Sequence, residues 1–470
     1  MKFYNREKEV AYLRDVREKS HVHARFTVIT GRRRVGKTQL VQQAMGDAPY
    51  LYFYVGRKSE KDLCEGFQSL MKAVLDVPIV GVATRFEDLA EVIFSEAEKR
   101  PITLVIDEFQ DFYRVNPSVF SALANLWDRH EKTAKLNLIV CGSINRLMNR
   151  IFRDEQEPLY GRNTGSLRVL PFRASVLKRI LSDHAPGAVN DDLLALWTFT
   201  GGVARYVQRL MDEGAFTREA MIRTIFSEGS SFLDEGMSLL VQEFGRDYET
   251  YFSILSAVAS GNTEYSQIKN MVGTEIGAHL SKLENEYALV RRKVPAFAKV
   301  STKNSHYEID DCFFRFWFRF VFKHQYLVEL GRFEQLQQLV ARDFDAFSGF
   351  ALERYFYWKF VDESTYTKMD SWWDRRGENE IDLVCEDELE NRLDFCEVKR
   401  DVRRDSMKTS CVGKPRCFFR QIPRSVHGRS AIAASRCETC SVVCVRQLPS
   451  AAWLKIIEIP LSFCVGACVS

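Results

Sequence analysis

The sequence predicts an α/β protein that opens on a largely parallel sheet, and three observations carry that expectation. Over the first ~180 residues, short β-branched and aromatic runs alternate with helical patterns, as strands and crossover helices do. A glycine-bounded turn, Gly31-Arg32-Arg33-Arg34-Val35-Gly36-Lys37-Thr38, joins an apolar strand-like run to a helical one. The composition, 46% hydrophobic, 12% aromatic and 27% charged, supplies ample material for buried cores.

Along the chain, Arg25 to Thr30 reads as a strand, Thr38 to Met45 as a helix, and Tyr50 to Val55, Ile102 to Ile106, Leu136 to Cys141 and Leu167 to Leu170 as further strands. From Asp191 to Ile225 the pattern is helical and interrupted by Gly201-Gly202, which suits a helical lid. Tyr251 to Ser260, Thr263 to Met271 and Glu275 to Asn285 read as three helices followed by a strand at Leu289 to Arg292, the order of a winged helix. The aromatic run Phe313-Phe314-Arg315-Phe316-Trp317-Phe318-Arg319-Phe320 predicts a buried seam, because each ring can bury about 150–250 Å². A small α/β segment follows, from about Asp345 to Arg400.

At 470 residues the chain exceeds a single core, which stops growing near roughly 250–300 residues. The expected domains are residues 1–185, a nucleotide-binding core; 186–235, a helical lid; 236–300, a winged helix; 301–400, the aromatic region and a second α/β domain; and 401–470, an atypical tail. Lys plus Arg number 66 and Asp plus Glu 63, a formal charge of +3, so any nucleic-acid face has to be local. The charged N-terminus lacks a signal-peptide core, and the apolar stretch Ile456 to Val469 is shorter than the roughly 20 residues of a membrane span. A cytoplasmic protein with no membrane partner is therefore expected. Of the 12 cysteines only Cys64, Cys141, Cys312 and Cys385 precede position 390, as in a reduced intracellular protein.

The turn at Gly31 to Thr38 has the spacing of a P-loop. Its glycines let backbone N–H groups wrap phosphates, Lys37 reaches the β- and γ-phosphates, and Thr38 takes Mg²⁺. Arg32, Arg33, Arg34 and Val35 complete the loop, and the cofactors expected are ATP and Mg²⁺. Asp107-Glu108 ends the strand Ile102 to Ile106, where Asp107 is placed to hold the metal's water shell and Glu108 to orient and deprotonate the attacking water. Ser143 closes the next strand and can sense the γ-phosphate, although Gly-Ser is also ordinary turn chemistry. Arg162 is a candidate arginine finger, from its own chain or a second copy, against the plain alternative of a surface arginine. Arg205 is a weaker candidate for the lid.

Together, Asn5-Arg6-Glu7-Lys8-Glu9, the P-loop, Ile106-Asp107-Glu108-Phe109-Gln110, Cys141-Gly142-Ser143 and Pro158-Leu159-Tyr160-Gly161-Arg162 resemble the prokaryotic AAA+/STAND-type ATPases abundant in archaea. The resemblance spans about residues 1–400. It implies a P-loop NTPase sheet with a helical lid, a winged helix and a C-terminal nuclease-like domain. The lid departs from the family pattern, with Ala204 where a proline usually follows the Gly-Gly pair.

A second constellation lies near the C-terminus. In Glu380-Ile381-Asp382-Leu383-Val384 and Leu393-Asp394-Phe395-Cys396-Glu397-Val398-Lys399, strand alternation puts Glu397 and Lys399 on one face. Two carboxylates and a lysine on one face can bind Mg²⁺ and activate water. The spacing resembles the PD-(D/E)XK nuclease fold. That resemblance implies Asp382 as first acid, Glu397 and Lys399 as the E-X-K element and Glu353 as an added helical acid, with Glu353, Asp382 and Glu397 holding the metal. The winged helix has an acidic third helix, with phosphate attraction left to Arg291, Arg292, Lys293 and Lys269. DNA contact and a packing or partner role both remain open for it.

Beyond Asp401 the chain turns rich in Arg, Ser and Cys with little helical or strand period. Cys437, Cys440 and Cys444 lack a second pair or a histidine to complete a zinc site. A reading frame shifted after Asp401 is the expectation. Two functions follow: an ATPase that drives nucleic-acid-directed action of the winged helix and nuclease, or an ATP-dependent switch with an inactive C-terminal scaffold and a protein partner or self-association.

Overall fold

A computed structural model describes residues 1–76, 81–143, 145–244, 248–299, 304–363, 366–390, 392–400, 435–436 and 441–446. The chain divides into two compact units. One comprises Lys2–Phe172 with Val203–Arg205, and the other comprises Met1, Arg173–Gly202 and the chain from Tyr206 onward.

The first unit contains α1 (Glu7–Ser20), β1 (Arg25–Thr30), α2 (Lys37–Met45), β2 (Leu51–Tyr54), α3 (Glu60–Leu75), α4 (Phe86–Lys99), β3 (Ile102–Asp107), α5 (Phe112–Val115), α6 (Ser118–His130), β4 (Leu136–Gly142), α7 (Asn145–Arg153) and β5 (Gly165–Arg168). Its strands form one sheet in the order β2-β3-β4-β1-β5, with every pairing parallel. Alternation along the central strands splits the core in two. Phe26, Val28, Leu104, Ile106, Leu138 and Val140 pack with α3, α4, α6 and α7. Ile29, Val105, Ile139 and Cys141 face the other way, onto α1 and α2. A sheet covered on both faces needs apolar residues at every strand position, which is why these strands read as continuous apolar runs.

The second unit begins with α8 (Ala174–His184), α9 (Asn190–Thr200), α10 (Ala204–Asp212), α11 (Arg218–Ile225) and α12 (Ser231–Phe244). Next come α13 (Tyr248–Ala259), α14 (Tyr265–Val272), α15 (Gly277–Asn285) and the antiparallel hairpin β6 (Val290–Lys293) and β7 (His306–Ile309). Then follow α16 (Cys312–Phe316), α17 (Gln325–Glu329), the long α18 (Phe333–Glu363), β8 (Lys368–Trp373), β9 (Glu380–Asp387), β10 (Arg392–Lys399), β11 (Ser435–Arg436) and β12 (Ser441–Arg446). The last five strands form an antiparallel sheet in the order β11-β12-β10-β9-β8.

The aromatic run is buried, with Phe313, Phe314, Phe316, Trp317, Phe318 and Phe320 at 4% exposure or less. It joins α9 to the helices after it: Phe199 meets Phe316 at 4.8 Å and Phe344 at 5.4 Å between ring centroids. Trp197 donates its Nε1–H to the Ala351 carbonyl at 3.0 Å. These contacts explain why residues 173–202 group with the C-terminal part of the chain.

In the tail, β12 pairs with β10 on the side opposite β9. The sparse strand period expected there thus gives way to two strands, β11 at the edge of the sheet and β12 between it and β10, the latter with the β-branched Val442, Val443 and Val445. The remaining tail, with Cys437, Cys440 and the expected frame change, lies outside the described residues. No helix of the described residues is long and apolar enough to cross a membrane. Cys64, Cys141, Cys312 and Cys385 are free and buried.

Candidate functional site

In the sheet order, β3, β4 and β1 are neighbours and parallel, so the loops after them leave the same edge. This brings together the P-loop after β1, Asp107 and Glu108 at the end of β3, and Ser143 after β4. The chain also crosses β1 between β4 and β5, the kind of switch point at which open α/β sheets bind ligands.

The loop geometry requires its glycines. A Cβ on Gly31 would stand 2.4 Å from the Val169 carbonyl oxygen, and Gly36 enters α2 at a φ of +94°. No side chain caps α2, so its first N–H groups are turned to the loop. Lys37 is 8% exposed, and its ammonium donates to the Gly31 carbonyl at 2.8 Å and the Arg32 carbonyl at 3.2 Å. Burial pulls its pKa below the ordinary lysine value, against the opposing pull of Glu108 and Asp107. Val35 is buried, and Arg34 adopts a left-handed φ of 69° while its carbonyl accepts the Arg205 backbone N–H at 3.1 Å.

Thr38 Oγ1 donates to Asp107 Oδ2 at 3.1 Å, and the Tyr52 hydroxyl donates to the same oxygen. A hydroxyl and a carboxylate at this spacing form the hard-oxygen pair that Mg²⁺ takes beside phosphates, so the donor set fits Mg-nucleotide. Glu108 sits in a left-handed conformation, φ 53°, a strained backbone of the kind that clusters at functional sites. Its Oε2 accepts from the Ser143 hydroxyl at 2.8 Å and the Gln110 amide at 2.5 Å. Arg33 Nε donates to Ser143 Oγ at 3.0 Å, and its guanidinium lies 3.8 Å from Glu108. The sequence places Arg33 in the loop but shows neither this tie nor the roles of Tyr52 and Gln110. Only Gln110 carries a signal, two residues after Glu108 in a tight turn.

Arg162 is placed differently. It makes a two-point pair with Asp128, at 2.8 and 2.6 Å, and among the described residues no hydrogen bond or ion pair joins it to the P-loop, Asp107, Glu108 or Ser143.

The second constellation is also drawn together. The β9–β10 register pairs Leu383 with Cys396, which sets Asp382 beside Glu397. Lys399 Nζ lies 3.4 Å from Asp382 and 3.1 Å from Glu397. Asp382 Oδ2 also accepts the Val398 backbone N–H at 2.6 Å. Burial and then the charge of Glu397 push the Asp382 carboxyl above the usual carboxylate range. Burial opposes the Lys399 ammonium, but Asp382 and Glu397 outweigh it and hold its pKa above the ordinary lysine value. Glu353, on α18, shares a cavity of about 130 Å³ with Asp382, and burial followed by Asp382 raises its pKa too. Among the described residues no group of three or more His, Cys, Asp or Glu is gathered to hold a metal, so Glu353, Asp382 and Glu397 are not a ready three-carboxylate cage. The donor set that remains, two carboxylates beside a lysine, is hard-oxygen chemistry suited to a hydrated Mg²⁺.

Residues 3–210 match the profile of an ATPase domain found predominantly in Archaea. Residues 317–409 match a profile described as archaeal and bacterial proteins of unknown function. An uncharacterized protein of Methanocaldococcus jannaschii is 27% identical over 417 residues, 86% of this chain and 90% of that protein. The solved structure of a Walker-type ATPase from Pyrococcus abyssi superposes with a TM-score of 0.51 at 21% identity, over 67% of this chain and 96% of that one. With a parallel sheet that gathers P-loop, Asp107 and Glu108 at one edge, and an archaeal-type ATPase domain over that same stretch, the chain is a nucleotide-binding P-loop ATPase, an enzyme that hydrolyses ATP.

Proposed function

We propose that ATP hydrolysis in the first unit drives the action of the second unit on nucleic acid, through Mg²⁺-dependent cleavage of a phosphodiester. The observation that carries the second half is Lys399, held 3.4 Å from Asp382 and 3.1 Å from Glu397 on adjacent strands.

In the ATP site, Lys37 and the loop N–H groups bind the β- and γ-phosphates, and Thr38 with Asp107 orients the Mg²⁺. When bound there, Mg²⁺ would supply neutralisation of phosphate charge for transfer of the γ-phosphoryl group. Glu108 accepts the proton of the attacking water, while Ser143 fixes the Glu108 carboxylate and Arg33 fixes Ser143. In the C-terminal site, Asp382 and Glu397 would hold Mg²⁺, which when bound would supply Lewis-acid activation of water. Lys399 positions the attacking water or stabilises charge on the phosphate, and Glu353 adds a proton-holding carboxyl across the cavity from the pair. Helices α13 to α15 with the β6–β7 hairpin are read as a winged helix, and the antiparallel sheet as a nuclease-like domain.

The test is incubation of linear and circular DNA with the full chain and with Glu397→Ala, in Mg²⁺, with and without ATP. Cleavage by the wild type that the variant loses is the expected result. No cleavage above the variant in either condition rejects the nuclease half and leaves an ATP-dependent switch.

A further inference from the structure

A wing that reads DNA projects its basic residues into solvent, and here the hairpin does something else. The segment after β6 hydrogen-bonds to β8, with the Ala296 N–H donating to the Ser371 carbonyl at 2.8 Å. His306, which opens β7, stacks on Trp373 with centroids 4.6 Å apart, and Trp373 Nε1 donates to Asn304 at 2.9 Å. Ser371 sits where the β8–β9 register shifts, and its hydroxyl donates to the Asp382 carbonyl at 2.9 Å. The hairpin is thereby fixed to the strands that carry the acid site, and Arg291, Arg292 and Lys293 line the same cavity as Glu353, Arg354 and Asp382.

Positive charge gathers on the hairpin side of this cavity. Arg291 pairs with Glu308 and, at 3.7 Å, with Asp310. Lys293 reaches Glu308 at 3.4 Å, and Arg354 reaches Asp310 at 2.7 Å. Three cations thus share two carboxylates, Glu308 and Asp310, while Glu353, Asp370 and Asp382 also line the cavity. Arg292 is the third guanidinium and the fourth cation of the lining, and its Nε donates to Ser305 Oγ at 3.1 Å. The cavity, about 130 Å³, is smaller than the roughly 300 Å³ at which pockets for drug-sized ligands begin, and it has room for a phosphate group.

We propose that the β6–β7 hairpin is the phosphate cradle of the acid site: Arg292 and Lys293 hold a backbone phosphodiester of a polynucleotide strand over Asp382, without reading its bases. This rests on the reading of Asp382, Glu397 and Lys399 as a phosphodiester-cleaving site. It gives that site a substrate class, a strand recognised by its backbone, because phosphate contacts position a chain and carry no sequence information.

The experiment measures binding of the full-length protein to a short fluorescein-labelled single-stranded DNA, and to RNA of the same sequence, by anisotropy across a salt series. All proteins carry Glu397→Ala to prevent cleavage. Removing both cations with Arg292→Gln and Lys293→Gln is expected to weaken binding about tenfold at low salt and to flatten the salt slope by ~0.7 for each phosphate that is no longer neutralised. The charge-keeping pair Arg292→Lys and Lys293→Arg is expected to retain the slope, which separates removal of charge from a disturbed fold. An unchanged slope in the glutamine pair overturns the cradle, as does a slope reduced equally in the charge-keeping pair. Tighter binding of one strand type under the same slope change identifies DNA or RNA as the source of the phosphate. With Glu397 restored, cleavage in Mg²⁺ at an unchanged KM in the glutamine pair sinks the cradle and leaves the cleavage reading standing. Cradle binding without cleavage does the reverse, and a wild type that binds neither strand overturns both.

Discussion

Lys37 and Lys399 each lie beside two carboxylates, yet their environments push them in opposite directions. Lys37 is 8% exposed, and burial outweighs Glu108 and Asp107 so that its pKa falls. Lys399 has a 47% exposed side chain, and Asp382 and Glu397 outweigh its burial so that its pKa rises. The first lysine is bonded to main-chain carbonyls of its own loop, so an incoming anion gains a cation whose charge the site has not already paired. The second is already neutralised by side chains, so a divalent cation has to compete with it for the carboxylates. On the proposed reading, one site receives phosphate and the other exchanges a lysine contact for a metal.

The strongest challenge to this contrast is at Lys37. Lys37→Ala is expected to lower ATP turnover by on the order of 10²–10³-fold, the scale of losing one preorganised charge-stabilising donor. Steady-state phosphate release checks it, and turnover near wild type would remove the phosphate role. Lys399→Gln is expected to lower DNA cleavage by about 10²-fold and to strengthen the rise in melting temperature that Mg²⁺ produces, because the carboxylates lose their internal cation. A Mg²⁺ response equal to wild type by scanning calorimetry would show that metal and lysine do not compete. Ser143→Ala removes a hydrogen bond to Glu108 of about 1 kcal/mol, so roughly a fivefold to tenfold loss of ATP turnover is expected. No loss would mean that Glu108 is held without it. The mildest change is at Arg162, where Arg162→Ala costs under about 1 kcal/mol in urea unfolding because its pair with Asp128 is largely solvated. A tenfold loss of ATP turnover that grows with protein concentration would instead make Arg162 a finger supplied by a second copy.

The same contrast explains what the sequence makes legible. The strands of the first sheet are readable to within one or two residues, because burial on both faces forces unbroken apolar runs such as Ile102 to Ile106. The P-loop is readable because its chemistry resides in a contiguous turn. The acid site is legible only in its strand residues, Asp382, Glu397 and Lys399, whose spacing follows strand period. The partners that shape it, Arg292, Lys293, Arg354 and Ser371, come from a hairpin, a helix and another strand, and nothing local joins them. Helix α18 is legible only at its expected helical acid, Glu353, because its apolar positions face several elements and leave no single clear stripe. Arg33 is legible as a loop residue, but its tie to Ser143 depends on β1 and β4 being neighbours.

Glu108 is the proposed base for hydrolysis at a site whose binding groups lie elsewhere, and Glu108→Gln separates the two roles. Binding of a fluorescent ATP analogue and steady-state phosphate release are measured on the same preparation. The expected result is affinity within a few-fold of wild type with turnover lower by on the order of 10²-fold or more, the contribution of a positioned general base. Turnover retained at the wild-type rate, with binding intact, would contradict that role for Glu108.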